Sequence, residues 1–393
     1  MAQPMGITAS DVEFGEATEE QRELAWELST QGWDSDIPVD DYIEREEYLA
    51  QLELNRDGRT QHWVLALKGY PRQVIASCQS TRRPVLISDG SGRPARQGNA
   101  YSVSHVYTSS PYRRQGMAAY LLCRLQEQMD RDSDCSVLYS DSGRKYYESL
   151  GWHPIASHQA TLTLITPSPQ GAPTPSTQPR TVPIQESELP DLCQRDQLRL
   201  TKTFNCLPAD GKAHFALLPT YPEISWHLAR SDDTDGTGDT NDTNDSNGNT
   251  PPTPPTPTPG AITLNRRTWI YWAHDWREKR LRVLRIPRAC DDESEEERAG
   301  LVAPRGQDEG DVKALLEAAL GEAARCGLRK VVVWNPDDAV RAACKAVSNA
   351  HPKKVKVVFE GRVHGGIPSL RWKGGRRKVS EVVWEENYGY CWV

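Results

Sequence analysis

The chain has 393 residues, a formal net charge of −7 and an isoelectric point near 5.8, which is enough length for two packed lobes. That balance gives no electrostatic reason to bind nucleic acid, so basic clusters such as Lys353-Lys354-Val355-Lys356 and Arg376-Arg377-Lys378 read as local surface features. Its nine dispersed cysteines lack Cys-x-x-Cys spacing, its first residues lack a secretion signal, and no apolar run reaches the ~20 residues of a membrane helix, so the expectation is a reduced, cytoplasmic protein without membrane or nucleic-acid partners.

In chain order, apolar residues at helical spacing predict helices over 18–31, through Leu24, Ala25 and Leu28, and over 39–54, through Tyr42, Ile43, Leu49 and Leu52. The runs 62–67 and 74–79 suit strands, the second continuing through 82–88 as a long hairpin, and 100–107 is a further strand. A helix over 115–129 aligns Met117, Ala118, Leu121, Leu122, Leu125 and Met129 on one stripe. After it come a strand at 137–139, a helix at 143–150 and an alternating strand at 160–165.

A Pro/Thr/Ser-rich linker at 167–183 separates a first lobe, 1–166, from a second, 184–393. Within the second, residues 231–260 turn from Asp/Thr/Asn/Gly-rich to a Thr-Pro repeat, too polar to offset the entropy of ordering, and are expected to be a disordered insertion. Residues 291–297 read as an exposed acidic loop. Strands at 269–272 and 281–286, a helix at 311–326 ended by Gly327, a strand at 331–334 and a helix opened by Asn335-Pro336-Asp337 complete the pattern. The twelve tryptophans, many in strand-like segments, suit a core or a groove.

The most informative stretch is Val106-Tyr107-Thr108-Ser109-Ser110-Pro111-Tyr112-Arg113-Arg114-Gln115-Gly116-Met117-Ala118, where an apolar strand passes through an Arg-x-x-Gly-x-Ala loop into a helix. First-turn N–H groups have no intrahelical partner and sit at the positive end of the helix dipole, so they attract a pyrophosphate. Gly116 and Ala118 are small where phosphates would touch the main chain, and Arg113 and Arg114 can add charge-assisted contacts. Downstream, Ser136-Val137-Leu138-Tyr139-Ser140-Asp141 is followed by a helix ending in Tyr146-Tyr147-x-x-x-Gly151-Trp152.

These two segments, in this order, resemble the acetyl-CoA-binding and C-terminal motifs of the Gcn5-related N-acetyltransferase (GNAT) superfamily. Ser-Val-Leu-Tyr-Ser-Asp with Tyr-Tyr-x-x-x-Gly-Trp is similar to the fungal lysine N6-acetyltransferase family, as are Ile367-Pro368-Ser369-Leu370-Arg371-Trp372, Val382-Val383-Trp384 and the aromatic end at 387–392. The resemblance implies an α/β protein with a GNAT acetyltransferase fold in the first lobe. In the second lobe, strand, helix, strand and helix recur in the same order without an Arg-x-x-Gly-x-Ala loop, which reads as a degenerate GNAT-like copy closing over the acceptor. The implied reaction moves an acetyl group from acetyl-CoA to N6 of free L-lysine, a step of lysine breakdown, with no metal. A protein lysine, a polyamine or another amine as acceptor, and a non-catalytic coenzyme-A-binding module, stay open as alternatives.

The resemblance places pantetheine and acetyl contacts on Val106, Tyr107 and Thr108, pyrophosphate contacts on Arg114, Gln115, Gly116, Met117 and Ala118, and the general acid on Tyr147. A phenol suits that role because a pKa near 10 keeps it protonated at neutral pH. Many GNAT enzymes carry a glutamate on the strand before the loop. Here Tyr101 to Tyr107 has no carboxylate, and His105 is the titratable group available as base, unless a water chain takes the role. Asp141 is either a partner for the acceptor amine or an N-cap for the helix after it, and Arg371 either meets a substrate carboxylate or forms a structural ion pair.

Overall fold

The computed structural model describes residues 6–33, 37–166, 180–232, 256–288, 306–374 and 378–392. Residues 167–179 of the linker, 233–255 of the insertion, the acidic stretch 291–297 and Arg376-Arg377 lie outside the described residues. A first mixed sheet begins with β1 (Val12–Glu16), β2 (Thr60–Leu67), β3 (Tyr70–Ser88), β4 (Arg96–Thr108) and β5 (Cys135–Ser140), side by side in that order. β1 to β4 pair antiparallel, whereas β4 and β5 run parallel. The long hairpin expected from the sequence is β3 with β4, in which Ile87 lies opposite Arg96.

Helices α1 (Glu19–Trp33), α2 (Val39–Ala50), α3 (Met117–Met129) and α4 (Lys145–Glu148) belong to this lobe. Successive strand residues face opposite ways, which assigns the helices to layers. Trp63, Leu65, Val103 and Leu138 share a core with Met117, Leu121, Leu122 and Leu125 of α3. His62, Gln79 and Ser104, aligned across β2, β3 and β4, face the other way, toward Trp26 of α1 and Leu49 of α2.

The remaining elements are β6 (His153–Pro154), β7 (His158–Leu164), β8 (Thr181–Pro183), α5 (Leu189–Asn205), β9 (Ala213–Leu217), α6 (Tyr221–Asp232), β10 (Gly260–Thr263), β11 (Trp269–Asp275), β12 (Arg280–Arg285), α7 (Gly306–Arg325), β13 (Lys330–Trp334), α8 (Asp338–Ala350), β14 (Val355–Gly361), β15 (Ile367–Trp372) and β16 (Val382–Trp384). β12, α7, β13 and α8 repeat the order β4, α3, β5 and α4, and β12 runs parallel to β13 as β4 does to β5. Gly327, at φ +69°, ends α7 with Leu328 N–H on the Ala323 carbonyl at 2.7 Å, and Asp337 caps α8 by accepting the Val340 N–H at 2.9 Å.

Strands cross between the sheets. β7, read from sequence as the end of the first lobe, lies in the second sheet between β13 and β14, while β15 enters the first sheet between β5 and β6. β9 extends the first sheet along β3, and β16 pairs with β9. A single cut near residue 166 therefore does not separate the two sheets. Trp269, Tyr271 and Ala273 of β11 face the first lobe and join Val85, Val137, Phe215, Leu370 and Tyr390 in a shared core, while Ile270 and Trp272 face α7.

Arg83 of β3 and Glu223 of α6 pair at 2.7 Å with both side chains fully buried, and Arg83 also donates to the Cys391 carbonyl at 2.7 Å and the Tyr390 carbonyl at 3.2 Å. One guanidinium thus fastens the first sheet, α6 and the C-terminal segment. Arg83→Met should cost about 3–5 kcal/mol by stranding Glu223 as an unpaired buried charge, whereas Arg83→Met with Glu223→Leu should recover much of the loss. Urea unfolding followed by tryptophan fluorescence checks both, and equal destabilisation by the single and double changes would contradict the pairing.

Candidate functional site

Ser77 of β3 lies opposite Tyr107 while Gln79 lies opposite Ser104, so β4 carries one extra residue there, a bulge in which His105 takes φ +51°. Just before it, β4 and β5 part: their ladder covers Ala100 to Val103 against Cys135 to Leu138 and goes no further. The main chain from Ser104 to Val106 therefore has no ladder partner on β5 and borders an opening between two parallel strands.

The loop after β4 ends in two left-handed residues, Arg114 at φ +62° and Gly116 at φ +80°. Gly116 is the N-cap of α3 and offers no side chain to its amides. The helical ladder starts with Tyr120 N–H on the Gly116 carbonyl at 3.0 Å, so the N–H groups of Met117, Ala118 and Ala119 meet no acceptor among the described residues. A Cβ at Gly116 would meet nothing within 4 Å, so the glycine is needed there for its backbone angle and not for space. Bare first-turn amides beside parted strands fit a pyrophosphate with its attached chain.

The side chains expected at this cradle divide into two sets. Arg114 has no hydrogen bond or ion pair to a described residue, but Arg113 folds back to donate to the Thr108 carbonyl at 3.0 Å and the Tyr107 hydroxyl at 2.9 Å. Gln115 accepts the Ile7 N–H at 2.7 Å, and Met117 is buried in the core under α3. Val106 packs against that core, and Tyr107 is buried beside Gly32 of α1, where a Cβ would come within 2.7 Å of its ring. The open groups of the cradle are thus main-chain amides, with Arg114 beside them.

Tyr147 packs on the α3 side of the first sheet with its ring 5.1 Å from that of exposed Tyr146. Burial pushes its phenol well above the ordinary value, with Tyr146, Cys78 and Asp141 adding to the shift. Asp141 does not cap α4: its carboxylate accepts the Gly366 N–H at 2.6 Å and so ties β5 to the turn before β15. Arg371 forms a bidentate ion pair with Asp130 at 2.5 and 2.7 Å, and the structural alternative for that residue is the one observed.

His105 lies across the sheet from Tyr147, at a pocket lined by α1, α2, the strands and Trp226 of α6. Its Nε2 is 3.9 Å from Oε2 of buried Glu46, and its Nδ1 is 3.2 Å from the Ser104 hydroxyl. Glu46 also meets Arg45 at 3.2 Å and Arg230 of α6 at 3.9 Å. The indole N–H groups of Trp26 and Trp226, both lining this pocket, are buried and meet no acceptor among the described residues. The opening between β4 and β5 therefore has a cradle on one side and a pocket holding a carboxylate and an imidazole on the other. Sequence reading passed over Glu46 and all of α6. The available signal was Tyr42, Arg45, Glu46 and Leu49 at helical spacing, a charged pair on the inward stripe of α2.

In the second lobe His274, Glu322 and Cys326 are close enough to hold one metal ion. Glu322 already accepts from His274 at 3.1 Å, from Thr258 N–H at 2.9 Å and from Arg325 at 2.6 Å, so a guanidinium supplies the positive charge there.

Residues 165–393 match the model of the LYC1 GNAT-like C-terminal domain, and residues 85–162 match that of an acetyltransferase (GNAT) domain. Comparison with curated proteins gives no match. Among solved structures, a conserved protein of unknown function from Enterococcus faecalis is similar at TM-score 0.55 and 9% identity, over 92% of this chain and 72% of that one. GCN5-related N-acetyltransferases from Kribbella flavida (TM-score 0.50, 11% identity, 92% and 72% covered) and Anabaena variabilis (TM-score 0.50, 13% identity, 91% and 72% covered) share the fold.

His62, in the same pocket, is pushed down to about 3 by burial, with the charges of Arg22 and His105 in the same direction. A histidine held neutral in the fold stabilises it fully above its unfolded pKa of about 6.5, and that contribution is lost as pH falls toward the folded value. His62→Gln should therefore flatten the acid limb of a stability profile between about pH 6.5 and pH 3. A His62 imidazole that titrates near 6.5 by NMR would contradict this.

Proposed function

Because the chain belongs to the family of the LYC1 GNAT-like C-terminal domain and carries a GNAT acetyltransferase domain before it, we propose that this GNAT-type acetyltransferase acetylates free L-lysine on N6, in the cytoplasm and as a step of lysine breakdown. The observation that carries this reading is the pairing of the bare α3 amides with the Glu46–His105 pocket on opposite sides of the parted β4 and β5. Acetyl-CoA supplies the activated thioester. The amides from Arg114 to Ala118 hold its pyrophosphate, and the main chain of Val106, Tyr107 and Thr108 lines the path of its pantetheine.

The lysine ammonium enters from the α1–α2–α6 side, where Glu46 attracts it. The amine must lose a proton before it can attack, and His105 Nε2, 3.9 Å from Glu46, receives that proton and leaves a charge that the carboxylate stabilises. The tetrahedral intermediate, whose nitrogen gives up its remaining extra proton to solvent, then expels a thiolate. Tyr147, held protonated by burial, donates its hydroxyl proton to that sulfur. Asp141, already bound to the Gly366 N–H, serves the turn before β15, and Glu46 takes the place expected of Asp141 as partner of the amine.

Release of coenzyme A from acetyl-CoA should be stimulated by millimolar L-lysine far more than by polyamines or a histone-tail peptide. Tyr147→Phe should lower kcat by about 100-fold with acetyl-CoA affinity unchanged, the range for loss of one general acid. Glu46→Gln should raise the KM for lysine more than it lowers kcat. Turnover with the peptide and none with lysine would overturn the free-lysine reading, and tight acetyl-CoA binding without any amine-dependent turnover would overturn the enzymatic one.

A further inference from the structure

β12 is a central strand, between β11 and β13, yet its sequence is Arg280-Leu281-Arg282-Val283-Leu284-Arg285. Leu281 and Val283 face α7, so Arg282 points into the space between the lobes. Arg285 is answered by Asp196 at 2.6 Å and Glu386 at 2.8 Å, and Arg280 by Asp275 at 2.8 Å. Arg282 has no such answer. Its NH2 donates to neutral His227 Nδ1 at 3.3 Å, its Nε is buried without a partner, and its guanidinium lies 4.5 Å from the Trp392 ring and 5.9 Å from Trp334.

Arg362, just after β14, approaches the same indole at 3.4 Å and is 6% exposed. One NH2 donates to the Gly366 carbonyl, its NH1 is buried without a partner, and no carboxylate among the described residues pairs with it. Burial pushes Arg282 down to about 9 and Arg362 to about 10; Asp275 holds Arg282 up in part, while Arg280, Arg230 and Arg362 repel it. A buried guanidinium and a half-buried one, neither in an ion pair with a described residue, are costly unless an anion joins them.

The anion's place follows from the neighbours. Tyr139 of β5, on the strand face opposite Leu138, is 5.8 Å from Trp334, and Arg230, 5.3 Å from the Trp392 ring, leads on to Glu46. The arginines thus border the inter-lobe side of the opening between β4 and β5, with the Glu46–His105 pocket along the same face. We infer that Arg282 and Arg362, which both approach Trp334, bind the carboxylate of an amino-acid acceptor whose amine is presented at Glu46 and His105. This rests on the acetyl-transfer reading above and narrows its substrate class to amines that also carry a carboxylate.

The test compares L-lysine with 1,5-diaminopentane, which has the same terminal amine and no carboxylate. The wild-type protein should prefer lysine in kcat/KM, and Arg362→Gln or Arg282→Gln should lower kcat/KM for lysine by about 10- to 100-fold, the range for one charge-assisted hydrogen bond, while leaving diaminopentane and acetyl-CoA affinity unchanged. Arg282→Gln, on a different element, guards against a folding effect at the turn near Gly366, and thermal melting is compared for both variants. Equal losses for the two amines, or no loss, overturn the arginine pair while leaving acetyl transfer to lysine intact. If neither amine is acetylated the free-lysine reading falls, and calorimetry then decides the pair separately: L-lysine bound by the wild type but not by Arg362→Gln supports it, and any other result overturns it.

Discussion

The inter-lobe face exists because β7 leaves the first sheet and β15 takes the place next to β5. Once β7 pairs with β13 and β14, the chain after Pro154 is committed to the second sheet, and its return through β15 locks β5 between strands from both lobes. Hinging the lobes apart would break sheet hydrogen bonds and expose a core that includes Trp269, Tyr271 and Tyr390. What lies between the lobes is therefore a fixed face bordered by side chains, not a seam between mobile domains. A site built there gains positional accuracy from sheet geometry, which a surface loop would not give.

That rigidity changes the meaning of buried charge. Arg83 with Glu223, and Arg285 with Asp196, offset desolvation by direct pairing and tie α6 and α5 to the sheets. Arg362, buried, and Arg282, half-buried, lack that compensation and rest on Trp334 and Trp392. Stacking on indole contributes about 1–2 kcal/mol, less than the cost of removing a guanidinium from water, so the difference is stored in the folded state. Left-handed non-glycine residues lie in the same region: His105 at φ +51°, Asn335 at +46° and Glu386 at +54°. Backbone strain and uncompensated charge therefore fall together where the two lobes meet.

The first lobe was legible because its signals are local. Helical stripes and the glycine-containing loop mark α1, α2 and α3 within a few residues of their observed limits. The two GNAT-like halves, and the strand-helix-strand-helix order of the second, were readable for the same reason. The crossing of β7 and β15 was not, since alternation along 158–164 reports a strand buried on one or both faces but not its partners. α5, β9 and α6 were passed over although Leu189, Leu192, Cys193, Leu200 and Phe204 recur at helical spacing along α5 and β9 is mostly apolar, so Trp226, His227 and Arg230 did not enter the reading of the sequence. The arginines of β12 look like an edge pattern in one dimension. Only the observed position of β12 between two neighbours leaves Arg285 buried and Arg280 and Arg282 half-buried.

The second copy also explains why one cradle suffices. In the first copy, the main chain of β4 beyond the β4–β5 ladder is left without a partner on β5. In the second, β12 and β13 pair from Arg280 and Lys330 to Val283 and Val333, and the chain's own end fills the place beyond. Asn335, just after β13, donates to the Asn387 carbonyl at 2.5 Å, and Gly389 comes so close to β12 that a Cβ would stand 2.4 Å from the Val283 carbonyl oxygen. A larger residue at Gly389 would have to displace that backbone. The neighbouring carbonyls of Tyr390 and Cys391 then receive Arg83, so the segment that closes the second opening also anchors the sheet containing the first. Duplicated architecture thus yields unequal sites: one pair of parallel strands parts around free main chain, and the other parts around a tail that holds the two halves together.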